Sequence, residues 1–211
     1  MIYAENIFIC IAVPLVITVF FIKGSARKFI VSFVLGMVLC LVAAYIGGYF
    51  EYAFEMEAEE TSIFVSPIVE EIIKLLPVLL LMILFDSDDD ELKLTAVGIG
   101  AGFATFENAC HIISTGAQDL AYILIRGFAA GVMPVVSIYA LSVALVVLRR
   151  YKAATVPIVV GALSISMTFH ATYNLFVSKT GLSSYIGYTF PVVAAIGLAY
   201  IGRTKYDDVT V

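Results

Sequence analysis

Long apolar runs, separated by short charged or Gly/Ser/Asp-containing segments, occupy most of this 211-residue chain. A membrane-spanning helix needs about 20 predominantly apolar residues, which is roughly the length of each run. Hydrophobic residues make up 62% of the chain and charged residues only 14%, a balance outside the range of water-soluble domains. The sequence therefore predicts an all-α bundle of about seven transmembrane helices. The predicted spans are about 6–22, 29–50, 63–85, 94–115, 120–148, 155–178 and 184–202.

The short connections between the runs leave room for little besides one integral membrane domain, which we assign to residues 1–211. The first run has no basic leading segment and no small-residue cleavage site, so we expect it to remain as span one. The net charge is −5 and the basic residues form no stripe, which argues against a nucleic-acid partner. The three cysteines lie inside apolar runs, where we expect buried thiols.

The basic residues are distributed unevenly between the two sides of the predicted bundle. Nine of the 12 Lys and Arg residues fall in connections on one side, whereas Lys179 falls on the other. Cytoplasmic loops carry the excess of Lys and Arg in membrane proteins. We therefore predict that the N-terminus lies outside and the C-terminus inside. The membrane that we expect is a prokaryotic plasma membrane. The nine residues are Lys23, Arg27, Lys28, Lys93, Arg149, Arg150, Lys152, Arg203 and Lys205.

Polar and ionisable residues interrupt four of the apolar spans. A charge at the centre of a span costs about 2.5–3.5 kcal/mol on insertion, so retained charges there mark functional sites. They lie in spans three to six. These residues are Glu70, Glu71, Lys74, Glu107, Asn108, His111, Arg126, His170 and Asn174.

The predicted topology places these residues at similar depths in the outer half of the membrane. With a rise of 1.5 Å per residue, Glu70, Glu107 and His170 each lie about 10–12 Å below the outer surface. Spans three, four and six each carry a second polar residue four positions further on, which lies on the same helix face. The sequence therefore predicts a water-filled cavity between spans three, four and six, open to the outside.

These residue types are suited to peptide hydrolysis. A carboxylate can deprotonate water, imidazoles can hold that water or move its proton, and an amide can donate to an oxyanion. We assign water activation to Glu70, assistance to His111 and His170, and oxyanion binding to Asn174. The full catalytic set is Glu70, Glu71, Glu107, His111, His170 and Asn174. The residues assigned to substrate binding or charge balance are Lys74, Asn108 and Arg126.

Structural roles stay open for several of these residues. Adjacent helical residues point about 100° apart, so one of Glu70 and Glu71 can face the cavity while the other, which we expect to be Glu71, pairs with a cation. Glu107 can act as a buried acid that bonds a neighbouring helix. Asn108 and Asn174 can link helices by hydrogen bonds, and Arg126 can extend to the membrane surface.

Three motifs follow one another on separate spans: Glu70-Glu71-Ile-Ile-Lys74, the segment GFATFEN that ends in Glu107-Asn108, and HATYN at 170–174. This ordered set resembles the PrsW family of intramembrane proteases, which belongs with the type II CAAX prenyl proteases and bacteriocin-processing enzymes (CPBP). The resemblance implies a catalytic core at 63–178. It also implies that the paired glutamates, the Glu-Asn pair and His170 correspond to the family's motif residues.

The chain departs from the PrsW pattern in one span. Relatives usually carry a histidine in the span after the second motif, and the segment RGFAAGVMPVVSIYAL has none. His111 and Asn174 instead resemble the FxxxH and HxxxN patterns of the CAAX branch, with Glu107 in place of the Phe. The resemblance implies a membrane-anchored substrate, such as an anti-sigma factor, a prenylated C-terminus or a bacteriocin-like peptide.

Two other functions and one cofactor stay open. Intramembrane Glu, His and Arg also build the proton relays of transporters, although the apolar inner halves of the spans argue against a conducting path. A catalytically inactive scaffold of the same fold would explain the missing histidine. We favour hydrolysis by Glu70-activated water without a metal; the alternative is zinc held by Glu70, His111 and His170 with an open fourth position.

Overall fold

The computed structural model describes residues 4–85, 87–115, 120–150 and 155–207, and they contain helices and no strand. The predicted all-α fold is therefore confirmed. The elements are α1 (Ala4–Val19), α2 (Gly24–Ala53), α3 (Ala58–Glu60), a π-helical turn (Thr61–Val65), α4 (Ser66–Leu84), α5 (Asp89–Thr115), α6 (Leu120–Arg150), α7 (Thr155–Val177) and α8 (Leu182–Asp207). Lys152, which contributes to the predicted charge asymmetry, lies outside the described residues.

The long helices follow the predicted spans in order, with ends that differ by a few residues. Among the described helices, α2, α6, α7 and α8 are long and apolar enough to cross a membrane, as judged by length and composition. Helix α1 is apolar but has only 16 residues. Helix α4 carries three charged residues of the predicted site, Glu70, Glu71 and Lys74, and α5 carries Glu107. The direction in which the bundle crosses the membrane stays a prediction.

Ion pairs hold the connections together at the two ends of the bundle. At one end, Lys28 Nζ lies 2.7 Å from Glu91 Oε1, and Arg149 Nη1 lies 3.4 Å from Asp89 Oδ1. Lys179 lies at the opposite end, just beyond α7. These basic residues are therefore separated as the alternation of spans predicts.

Glycines bring α5 into close contact with its neighbours on both sides. A Cβ atom on Gly98 would lie 2.7 Å from Ser32 Cβ of α2, and one on Gly100 would lie 2.7 Å from Val135 Cα of α6. Helix α5 is therefore fixed between α2 and α6, because small residues allow helices to approach closely in lipid. This packing sets the position of Glu107, which lies further along the same helix.

An apolar core fills the bundle below the predicted polar layer. Its residues come from α4, α5 and α6, and it begins at Leu75, directly after Lys74. The polar residues of α4 therefore end where the apolar core starts. The buried members are Leu75, Val78, Leu92, Ala96, Ile99, Ile138, Leu141, Leu145 and Val146.

Candidate active site

Glu71 is the centre of a buried polar cluster. The side chains of Glu71 and Lys74 have no exposed surface, and Lys74 Nζ donates to Glu71 Oε1 at 2.6 Å. The ammonium group also lies 5.0 Å from the ring centroid of Phe103. Removing either partner would leave an uncompensated buried charge, so the pair is what allows both residues to remain in an apolar helix.

Two serines from other helices complete the environment of this carboxylate. Ser166 Oγ of α7 donates to Glu71 Oε2 at 2.8 Å. Ser137 Oγ of α6 lies 3.2 Å from Glu71 Oε1 and 3.3 Å from Lys74 Nζ. The cluster thus links α4, α6 and α7.

Sequence reasoning missed both serines, because a hydroxyl group enters a membrane span at little cost and does not stand out. The positions of the two serines in the chain could have indicated them. Ser166 precedes His170 by four residues and therefore shares its helix face. Ser137 lies in the span that lacks the expected histidine.

His170 lies between the two glutamates. Its ring is buried, with Nδ1 2.9 Å from Glu71 Oε1 and Nε2 3.8 Å from Glu70 Oε2. In a neutral imidazole the nitrogen that faces an acceptor carries the proton, so we assign the proton to Nδ1. The lone pair of Nε2 then points toward Glu70.

Glu70 differs sharply from its neighbour. Its Oε2 atom is buried without a hydrogen-bond partner, and its side chain retains 17% exposure. The sequence places Lys74 on the same helix face as Glu70, but Lys74 bonds Glu71, because residues three apart are also neighbours on a helix. All the described donors of this cluster therefore bond Glu71, whereas Glu70 has an acceptor oxygen available.

Glu107 of α5 faces the same region. It is half-buried and lies within the electrostatic range of Glu70. Phe106, the residue before it, is buried against Phe8 of α1, with the two rings edge to face at 5.8 Å. The structure thus brings residues of the first and last motifs together and places the second motif beside them.

His111, Arg126 and Asn108 lie on α5 and α6. His111 is half-buried and lies within the electrostatic range of Arg126. Asn108 is close to Gly131, where a Cβ atom would lie 3.4 Å from Asn108 Nδ2. Asn108 Oδ1 and Arg126 Nε are buried without hydrogen-bond partners.

Asn174 links α7 to the segment that leads into α4. Its Nδ2 donates to the carbonyl of Ser62 at 2.8 Å, within the π-helical turn. Such turns are rare and often occur at functional sites. Lys179, which follows α7, pairs with Glu59 of α3, and its Nζ atom lies 2.9 Å from Glu59 Oε1. This hydrogen bond holds the pKa of Glu59 below its usual value.

The residues of the predicted zinc site do not come together as a set of three. Within the ranges described above, no three His, Cys, Asp or Glu side chains are grouped so as to hold a metal. Glu70 Oε2 and His170 Nε2 are two adjacent donors, whereas Glu71 is occupied by Lys74 and its other partners. These residues alone therefore do not fit a three-ligand zinc site.

Comparison with known proteins identifies a family. The family model for PrsW family intramembrane metalloproteases matches residues 24–198. The matched range begins at the start of α2 and includes all the predicted site residues. No curated protein and no solved structure matches the chain.

Proposed function

Because the chain belongs to the PrsW family of intramembrane metalloproteases, we propose that it hydrolyses a peptide bond of a membrane-anchored protein or peptide at Glu70 and His170. One observation carries this proposal: the unpartnered Glu70 Oε2 faces His170 Nε2 at 3.8 Å, while Glu71 holds the other side of the ring. Residues 63–178 form the proposed catalytic core of a single membrane domain.

The proposed nucleophile is a water molecule bound between Glu70 and His170. A water about 2.8 Å from each of two acceptors that lie 3.8 Å apart forms a triangle with them and can donate one proton to each. Its remaining lone pairs face the substrate carbonyl. Glu70 takes the proton as the water oxygen bonds to carbon, and the same proton passes to the amide nitrogen as the C–N bond breaks.

The residues around this water have distinct proposed roles. Glu71, neutralised by Lys74, keeps the His170 ring in place and in one tautomer. Asn174 uses one amide N–H for Ser62, which leaves its second N–H for the developing oxyanion. Glu107 provides a second carboxylate near Glu70.

We assign Asn108 and Arg126 to the binding of the substrate backbone. Asn108 Oδ1 is an acceptor without a donor, and Arg126 Nε is a donor without an acceptor. An extended peptide presents both N–H and C=O groups along its length. A buried hydrogen-bond acceptor on α5 and a buried donor on α6 therefore suit an extended peptide.

The substrate must be unwound where it is cut. In lipid, the carbonyl groups of a helical segment are already hydrogen-bonded within that segment. We propose cleavage near the outer boundary of the substrate's span, in a segment with helix-breaking residues. An anti-sigma factor, a prenylated protein or a bacteriocin-like peptide in a prokaryotic plasma membrane is the kind of substrate proposed.

A reconstituted system tests this function. The protein in lipid nanodiscs is incubated with single-span reporter peptides that carry Gly or Pro at one membrane boundary, and products are identified by mass spectrometry. Wild type should cut at least one reporter, and Ser164→Ala, which changes an exposed serine of α7, should do the same. Equal cleavage by His170→Ala, or no cleavage of any reporter by wild type, would contradict the proposal.

A further inference from the structure

Ser166 contacts the oxygen of Glu71 that His170 does not. Ser166 Oγ donates to Oε2 at 2.8 Å, and His170 Nδ1 contacts Oε1 at 2.9 Å. Ser166 is buried and lies one helical turn before His170. We propose that Ser166 is a positioning residue for the reaction assigned to Glu70 and His170, on which this inference rests.

The geometry of α7 gives this contact its effect. Residues four apart lie on one helix face, so Ser166 and His170 reach across to the same carboxylate of α4. Each holds a different oxygen, which fixes the plane of the carboxylate relative to α7. The terminal torsion of a glutamate is otherwise broad, so a carboxylate held by one oxygen can turn and carry the ring with it.

The other donors to Glu71 do not replace Ser166. Lys74 and Ser137 both contact Oε1, which is also the oxygen that His170 contacts. Ser137 additionally has the Pro134 carbonyl within reach at 3.1 Å, so its hydroxyl proton has two acceptors. Among the described residues, Oε2 thus receives its hydrogen bond from Ser166.

A displaced ring has a specific consequence for the proposed reaction. The lone pair of His170 Nε2 must point toward the water held by Glu70, and a shift of 1 Å can slow a reaction by about 100-fold. Such a shift affects the chemical step and leaves substrate binding largely unchanged. Loss of Ser166 should therefore lower kcat more than it raises KM.

Kinetics of three variants test this role. We expect Ser166→Ala to lower kcat by about tenfold or more while KM stays within about twofold. Ser166→Thr retains the hydroxyl and should keep kcat within about threefold of wild type. Ser142→Ala, the matched control, removes a buried serine hydroxyl of α6 that bonds the Tyr139 carbonyl of its own helix, and it should leave kcat unchanged.

A spectroscopic measurement separates this inference from the proposed function. The chain has two histidines, so ring-¹⁵N-histidine labelling gives two sets of signals, and His111→Gln assigns them. In wild type the His170 signals should report a protonated Nδ1, and in Ser166→Ala a mixture of tautomers with unchanged helix content. Unchanged His170 signals in Ser166→Ala would overturn the inference, as would unchanged kcat. A tautomer change in a protein that cleaves nothing would support the positioning contact and reject the protease function.

Discussion

Glu71 Oε1 accepts a hydrogen bond from Nδ1 of His170 at 2.9 Å, and the carboxylate that accepts it has no exposed surface. A buried carboxylate behind an imidazole fixes which ring nitrogen carries the proton. Glu70, the adjacent glutamate, can then act on the side of the ring that carries the other nitrogen, Nε2. Two neighbouring residues of one type thus have different proposed tasks, and each task leads to its own prediction.

The first prediction concerns the stability of the buried ion pair. Glu71→Gln leaves the Lys74 charge without its partner, which should lower the free energy of unfolding by about 3–5 kcal/mol. Unfolding in mixed detergent micelles measures this loss, with the exposed Glu51→Gln as control. Adding Lys74→Met should recover most of the stability, because it removes the buried charge that Glu71→Gln leaves unpaired. Unchanged stability in Glu71→Gln would contradict the pairing.

The second prediction distinguishes the two histidines. His170→Ala should lower kcat by about 100-fold or more, because it removes a group that holds the proposed water. His111→Ala should have a smaller effect, about tenfold or less, because the proposed water lies between Glu70 and His170. Turnover of one reporter peptide by both variants gives the comparison. A larger loss in His111→Ala would transfer the catalytic role to that histidine.

The third prediction concerns a metal. Activity should stay within about twofold of its starting value after dialysis against a strong chelator, because Glu70 and His170 alone do not make a three-ligand zinc set. The same sample analysed for zinc shows whether removal was complete. Activity that disappears with zinc and returns on its addition would contradict the metal-free mechanism.

The fourth prediction concerns the ion pair that lies just beyond the C-terminal end of α7. Lys179→Gln removes the hydrogen bond that lowers the pKa of Glu59, so this pKa should rise toward the usual 4.5. A carboxyl group with a lowered folded-state pKa adds stability above its unfolded pKa and loses it as the pH falls through the folded value. The pair therefore contributes at neutral pH and not in strong acid. Carboxyl ¹³C NMR titration measures the change, and an unaltered Glu59 pKa would show that the pair does not form.

Much of the helical fold was predictable because apolar runs of membrane length leave a chain few alternatives. The site motifs were also predictable, since lipid makes each retained charge conspicuous. The sequence therefore singled out Glu70, Glu71 and His170, whose side chains lie together in the structure. The expectation that Glu71 pairs with a cation agrees with its contact to Lys74.

The finer arrangement depends on helix rotation and packing, which the sequence does not specify. Lys74 can reach either Glu71, three positions before it, or Glu70, four positions before it. The space between α4, α6 and α7 decides which of the two it bonds. The sequence did not single out Ser137 and Ser166, because placing a serine in a membrane span costs little free energy. The sequence also did not indicate the π-helical turn, whose Ser62 carbonyl accepts a hydrogen bond from Asn174 of α7.

The central claim is that Glu70 activates the water that cuts a membrane-anchored substrate. Its most direct test compares new protein termini, identified by mass spectrometry, in membranes of cells that express wild type, Glu70→Gln or the exposed control Glu51→Gln at equal levels. Glu70→Gln keeps the shape of the side chain and removes its basicity. Specific termini near the outer boundary of a substrate's span should be present with wild type and Glu51→Gln and absent with Glu70→Gln. The same termini at equal abundance with Glu70→Gln would contradict the account.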